Sequence, residues 1–351
     1  MAYTSVDDPT IYFNTVTYSG NSSNNRTISG FGFNPDWVWV KCRTSAFSNT
    51  TADSVRGTNA NLFINETGAE INPTSDIGRG GIGQVTTDGF IAVQGSSSMD
   101  NTNTSGQNYV SWCWKAAGST ATNTEGNVNT TISANPTAGF SIISADPGST
   151  SGELTLGHGL GTVPTMMIWK NRETDGQNWQ VFHQATGTAL MILNSDAAKN
   201  TDVTFWNTHT TTLFKMTTHM YAQNKDFIGY CFSDRQGYSK FGSYVGNGNV
   251  DGTFLHLGFR PAFTMIRSTG SDKWNMFDAK RNPFNEVDNN LRANTNGAEV
   301  DQANKEVDYL SNGVKLRTSS GEWNTSGTTY IYMAFAESPF VNSSGVPNNA
   351  R

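Results

Sequence analysis

The feature that most constrains this chain is a phrase written three times. The first copy is FNPDWVWVK, in which Pro35 is followed six residues later by Lys41. The second is VPTMMIWK, from Pro164 to Lys170, and the third RPAFTMIR, from Pro261 to Arg267. Each run between proline and cation is mostly apolar. Each proline follows a glycine-bearing segment: Gly32-Phe33, Gly159-Leu160-Gly161 and Gly258-Phe259. Later landmarks recur in the same order. A Leu/Met-x-x-Asn element appears as Leu62 to Asn65, Met191 to Asn194 and Leu291 to Asn294, and Ala69, Ala198 and Ala298 follow at one spacing. An aromatic segment closes each copy: YVSWCW from Tyr109, FIGYCF from Phe227 and YIYMAF from Tyr330. The interval from Asn194 to Asn294 is 100 residues. A propeller blade or solenoid coil repeats at roughly 20–50 residues, so this period suits whole small domains.

The segments within each copy read as short strands, such as DWVWVK, GFIAVQG, FTMIRS and TYIYMAF. Asn-Gly, Asp-Gly and Gly-Asn pairs separate many of them, which is hairpin chemistry. Residues 297–308, GAEVDQANKEVD, could hold a short helix. The expected fold class is all-β, with three tandem β-sandwich repeat domains of lectin-like or jelly-roll-like type. The expected boundaries are a docking segment at 1–12, repeats at 13–115, 139–237 and 238–340, and a tail at 341–351. Residues 116–138 are small, polar and free of aromatics, and read as a linker.

Residues two apart on a strand share a face. Counted from the prolines, Trp37, Met166 and Phe263 form one column, and Trp39, Ile168 and Met265 the next. Both columns stay apolar without staying aromatic, so this face is expected in a core rather than stacked on sugar. The opposite face holds Val38/Met167/Thr264 and Val40/Trp169/Ile266, as in an inner strand of a two-layer sandwich.

Composition narrows function. Charged residues are 15% and the net charge is −6, which speaks against nucleic acid as a partner. Cys42, Cys113 and Cys231 make no disulfide framework and read as buried free thiols. The opening MAYTSVDDPTIYF lacks the apolar stretch of a signal peptide, and no apolar run approaches the ~20 residues of a membrane span. Synthesis in the cytoplasm and no membrane insertion are therefore expected. His158, His183, His209, His219 and His256 show no metal-ligand spacing. His183 stands where the other copies have Asp53 and Asp278, an exchange that a catalytic base would not tolerate. The glycine-rich GRGGIG, residues 78–83, lacks the Lys-Ser/Thr of a phosphate loop. NGNVDG, residues 247–252, resembles the start of a calcium loop without its twelfth-position acid, and reads as a hairpin turn. No catalytic residue, metal or cofactor is expected. Trp179, Trp206, Trp274 and Trp323 lie in polar surroundings and are the candidate glycan contacts, because sugar sites pair an aromatic platform with amides and hydroxyls.

The wording TSVDDPTIYFNTVTYSGN, GFGFNPDWVWVK, YVSWCWKA, GHGLGTVPTMMIWKNR, QGYSKFGSYVGNGNVDGTF and LSNGVKLRTSSGEWNTSGTTYIYMAFAESPFVNSSGVPNNAR resembles a family of uncharacterised marine bacteriophage proteins. The resemblance covers essentially the whole chain. It implies a non-enzymatic virion structural protein: a tail-fibre, tail-associated or capsid-decorating component present in several copies or as a homo-oligomer. The implied partners are other virion proteins and a host-surface glycan met during attachment. A pure decoration protein and a free glycan-binding module are the alternatives. No coiled-coil heptad or triple β-helix run is present, which favours a compact knob over a fibre shaft. Residues 1–12 are expected to dock the protein to the particle and to be dispensable for folding. The three domains are expected either to cluster about a pseudo-threefold axis or to string along a fibre, with residues 116–138 letting the first one swing.

Overall fold

The computed structural model describes the chain apart from residues 1–3, 58, 76–77, 97–100, 203, 218–223, 302–305, 320 and 350–351. The described residues are all-β, with single 3-10 turns at Pro9–Ile11 and Gln184–Thr186. The strands fall into three sectors along the chain. The first holds β1 (Phe13–Ser19), β2 (Arg26–Ser29), β3 (Trp37–Cys42), β4 (Thr50–Asp53), β5 (Leu62–Phe63), β6 (Gly81–Thr86), β7 (Gly89–Val93) and β8 (Asn108–Trp114). The second holds β9 (Ala121–Asn123), β10 (Thr130–Asn135), β11 (Phe140–Ala145), β12 (Leu154–Gly157), β13 (Met166–Asn171), β14 (Gln180–His183), β15 (Met191–Ile192), β16 (Leu213–Met216) and β17 (Phe227–Phe232). The third holds β18 (Ser239–Val245), β19 (Phe254–His256), β20 (Phe259–Ser268), β21 (Asn275–Asp278), β22 (Asn289–Arg292), β23 (Val300–Asp301), β24 (Val307–Leu310), β25 (Gly313–Leu316) and β26 (Thr329–Pro339).

Each sector has one large antiparallel sheet and one small one. The large sheets run β1-β8-β3-β4-β5, then β11-β17-β13-β14-β15 with β10 and β9 added beyond β11, then β18-β26-β20-β21-β22 with β23 added. The strand order is the same in all three. The proline-to-cation phrase supplies β3, β13 and most of β20, and its neighbour is the closing aromatic strand β8, β17 or β26. Both are near-continuous apolar runs because both of their faces are buried. The register is also shared: Trp37 pairs with Trp114, Met166 with Phe232 and Phe263 with Phe335. The small sheets are β2-β7-β6, β12-β16 and β19-β25-β24.

The two faces of each phrase strand enter different cores. Val38, Val40 and Cys42 join Phe31, Phe33 and Phe90 in the first sector's own sandwich core. Met167 and Trp169 do the same in the second sector, and Ile266 in the third. The other face is where the structure departs from the expected two-layer sandwich. Trp37, Trp39, Met166, Ile168, Phe263 and Met265 all enter one central cluster that the three large sheets share. Rings meet across every sector boundary. Trp37 stacks on Tyr230 at 4.3 Å, Trp112 meets Phe263 edge-on at 5.6 Å, and Phe232 meets Phe335 at 6.0 Å. Burying one large apolar side chain is worth about 1.5–3 kcal/mol. A sector removed from the ring would therefore expose a whole aromatic face.

Several boundary expectations are corrected. Residues 116–138 are not a linker, because β9 and β10 lie there, hydrogen-bonded into the second large sheet. Ladder bonds need no aromatic residue, and the few apolar residues present, Val128 and Ile132, are buried in the second sector's core. The carboxylate of Asp36 also takes the N–H groups of Ala116 and Gly118, so the first sector is tied to this segment rather than free to swing. The described part of residues 1–12 is not a free arm. Val6 enters the central cluster, and the Thr4 hydroxyl donates to the Gln236 carbonyl at 2.8 Å. Tyr12 meets Tyr238 edge-on at 5.9 Å, and Asp7 accepts the Ser343 N–H at 2.7 Å. This segment straps the first sector to the third. Of the stretch 297–308, the described residues hold β23 and the first two residues of β24, and 302–305 lie outside the described residues. NGNVDG connects strands of different sheets, β18 and β19, so it is a turn but not a hairpin.

Candidate functional site

The four tryptophans proposed as glycan contacts are buried: Trp179, Trp206 and Trp323 are 0% exposed and Trp274 is 1% exposed. Trp206 packs with Phe182 and Phe214 in the second sector's core, and Trp323 meets Phe277 edge-on at 5.2 Å in the third. Trp179 and Trp274 belong to the central cluster. None offers a stacking platform, which corrects that expectation. The polar residues Asp175 and Gln177 just before Trp179 are exposed, yet they also bond across a sector boundary. Gln177 N–H donates to the Thr67 carbonyl, and Asp175 accepts the Ala69 N–H.

The repeated motifs meet at these boundaries, hereafter seams. The phrase's closing cation reaches the loop behind a neighbour's Leu/Met-x-x-Asn element. Lys170 donates to the Thr67 carbonyl at 3.1 Å, Lys41 to Thr295 at 2.9 Å, and Arg267 to Ser195 at 2.9 Å and to Ala197. The motif asparagine holds the strand that faces this loop. Asn65 accepts the Asn49 N–H, Asn194 that of Trp179 and Asn294 that of Trp274. The side chains so held then donate onward across the next seam: Trp179 to the Phe63 carbonyl at 2.9 Å, Trp274 to Ile192 at 2.8 Å, and Asn49 to Ala293 at 2.8 Å. The contacts run second to first, third to second and first to third, which closes a ring. Desolvation pushes the Lys41 ammonium down to about 7 and the Lys170 ammonium to about 8.

Two seams add buried ion networks. At the first–second seam, Asp53 pairs with Arg56 at 2.6 Å and accepts the Tyr230 hydroxyl at 2.8 Å. Glu70 bridges Arg56 and Arg172, each at 2.9 Å. At the third–first seam, Asp278 pairs with Arg281 at 2.6 Å and accepts the Trp112 indole at 3.1 Å. Glu299 bridges Arg281 and Arg43, each at 2.7 Å. Burial alone would raise Glu70 and Glu299, but the arginines outweigh it and hold both below the usual carboxylate range. The second–third seam has no such network among the described residues. His183 replaces the aspartate, with its Nδ1 accepting the Ala185 N–H at 3.2 Å and its Nε2 facing the Tyr332 carbonyl at 3.4 Å. The Asp-x-x-Arg spacing shared by residues 53–56 and 278–281 was present in the sequence and could have revealed these networks.

The histidines are not brought together with any acid–base partner set, and His219 lies outside the described residues. Among the described residues no group of three or more His, Cys, Asp or Glu is placed to hold a metal ion. Cys42, Cys113 and Cys231 are buried and free. The surface feature with the richest chemistry is a cavity of about 430 Å³ in the third sector. It lies between the turn that enters β18 (Asp234, Arg235, Gln236), the β19–β20 junction (His256 to Gly258) and Phe340. Its walls are cross-braced: Lys240 donates to the His256 carbonyl at 2.6 Å, and the Phe340 N–H to the Gly258 carbonyl at 3.1 Å. Sequence reading missed it because its walls come from three segments and share no motif.

A family model, described as a domain of unknown function, DUF7483, matches residues 8–339. The chain belongs to the DUF7483 family. The DUF7483 match ends on the last residue of β26 and runs through all three large sheets, so the family is defined on the whole ring and not on one sector. No curated protein and no solved structure matches the chain.

Proposed function

We propose that this DUF7483 chain is a non-enzymatic structural protein of a bacteriophage particle, exposed as a tail-fibre, receptor-binding or capsid-decorating component that takes part in attachment to the host. We also propose that its sectors are three copies of one β-sandwich unit of lectin-like or jelly-roll-like type. Their common strand order and register support that reading. The observation that carries the functional reading is the closed ring of seams around one aromatic core. The buried charges of this chain pair with each other and with carbonyls across seams, which is cohesion rather than chemistry. A body built this way suits a particle that must persist outside cells.

The test is location. Gold-labelled antibody against the recombinant chain should decorate purified particles of the phage that encodes it, at regular positions. Particles free of the chain by both labelling and mass spectrometry would refute the proposal. A second reading, decoration without any ligand, is favoured by one observation: all four expected tryptophan platforms are buried. Adsorption of the purified chain to host cells separates the two, since only the attachment reading predicts saturable binding.

A further inference from the structure

We propose that the cleft between Asp234, Lys240, His256 and Phe340 is a binding site for a carboxylate-bearing saccharide. The inference rests on the attachment reading above and gives it a place and a ligand class. The chain carries a net charge of −6, yet this cleft gathers a guanidinium, an ammonium and an imidazole against a single carboxylate. A concave site with one local sign of charge raises the local concentration of the opposite ion. Lys240 uses its described bond on the His256 carbonyl, at 2.6 Å, and an ammonium has three N–H groups to give. Arg235 is held by the Pro136 carbonyl and Thr162, so it contributes field rather than a fresh contact.

The remaining walls supply what a sugar ring needs. Phe340 is 37% exposed on the rim, and outside the lining Phe254 stands 6.4 Å from the His256 ring with 41% exposure. Such rings offer an apolar surface to the C–H face of a pyranose. Gln236 is exposed beside them and brings an amide that both donates and accepts. Asp234 accepts the Phe241 N–H at 3.0 Å, which fixes its carboxylate as an acceptor for ring hydroxyls. Desolvation raises the Asp234 carboxyl above its ordinary value. The volume, about 430 Å³, fits one or two sugar rings and falls in the range of ordinary ligand sites. The cross-bracing of Lys240 to His256 and of Phe340 to Gly258 means little ordering is left to do on binding.

The test uses the full chain, with trigalacturonate and its fully methyl-esterified form as probes, by calorimetry and by saturation-transfer NMR. The two share ring and linkage and differ in charge. Binding of the acid at least tenfold tighter than the ester is expected. Lys240→Gln should remove that preference, and Phe340→Ala should weaken both probes, with unfolding temperatures checked to show that each variant folds. Equal affinity for acid and ester would overturn the proposed ligand class. No binding of either probe would overturn the site, and the attachment reading would stand if the same protein still adsorbs saturably to host cells. Loss of both readouts in a folded wild-type chain would overturn both proposals.

Discussion

The third–first and second–third seams do the same mechanical job with opposite chemistry. At corresponding places the first has Asp278 and Arg281, and the second has His183 and Thr186. Farther along, Glu299 N–H bonds the Arg43 carbonyl at 2.7 Å, while Lys199 N–H bonds Thr269 at 3.0 Å. The backbone bridge is common to both seams and the side chains are not: the Glu–Arg pair of one is a Lys and a Thr in the other. Ring closure is therefore set by the carbonyl clamps and the shared core. The ion network is a local solution whose partners depend on one another, because an unpaired buried charge costs more than a lost contact.

Breaking the ionic seam should have the largest effect. Arg281→Ala leaves Asp278 and Glu299 without their buried partner, and a loss of about 3–5 kcal/mol is expected in urea unfolding. A loss no greater than that of His183→Ala would remove the distinction between the seams. Next comes acid. His183 is pushed down to about 4 by burial, so the unfolded chain takes up its proton first, near 6.5. Stability held above pH 6.5 should be lost as pH falls toward 4, by about 3 kcal/mol from this group. Glu70 and Glu299 are lowered instead, so the ionic seams should hold until the pH falls below 4.5. In thermal melts, His183→Gln should shrink the upper phase, to which the buried His158 and His209 also contribute, and spare the lower one.

A smaller change should act on both kinds of seam alike. Trp179→Phe and Trp274→Phe each keep a ring but strip a donor from a buried carbonyl, at Phe63 and Ile192 respectively. Both carbonyls keep a second donor, the Glu66 N–H and Arg267 respectively, so each change should cost about 0.5–1.5 kcal/mol, and a large difference between them would show that the clamps are not equivalent. The smallest effect is expected at the surface pair of Lys225 and Glu173, both near 40% exposed. Lys225→Ala should change stability by about 0–1 kcal/mol, as exposed pairs do.

The strands themselves were legible. Pro35 to Lys41 announced a buried strand, its echoes announced two more, and YVSWCW, FIGYCF and YIYMAF announced their partners. What lies across a seam was not. DGQNWQ reads as a solvated loop because Thr67, Ala69 and Asn194, which bond its residues, are remote in sequence. Residues 116–138 misled for a related reason: backbone ladder bonds hold β10, and composition does not report them. The cleft near Phe340 left no sequence trace at all, since it depends on how the turn after Phe232 sits over the start of β20.

The placement of β26 has a consequence for how the chain is made. It is the last of the described strands, yet it lies in the middle of its sheet, between β18 and β20, and it sends Ile331, Met333 and Phe335 into the shared core. On a ribosome, the first two sectors emerge with their aromatic faces complete but uncovered. They must wait for the third sector before the ring can shut, and contacts so distant in sequence form slowly. Truncation anywhere before Tyr330 would then leave a nascent chain with an open apolar flank, a natural target for chaperones and proteases.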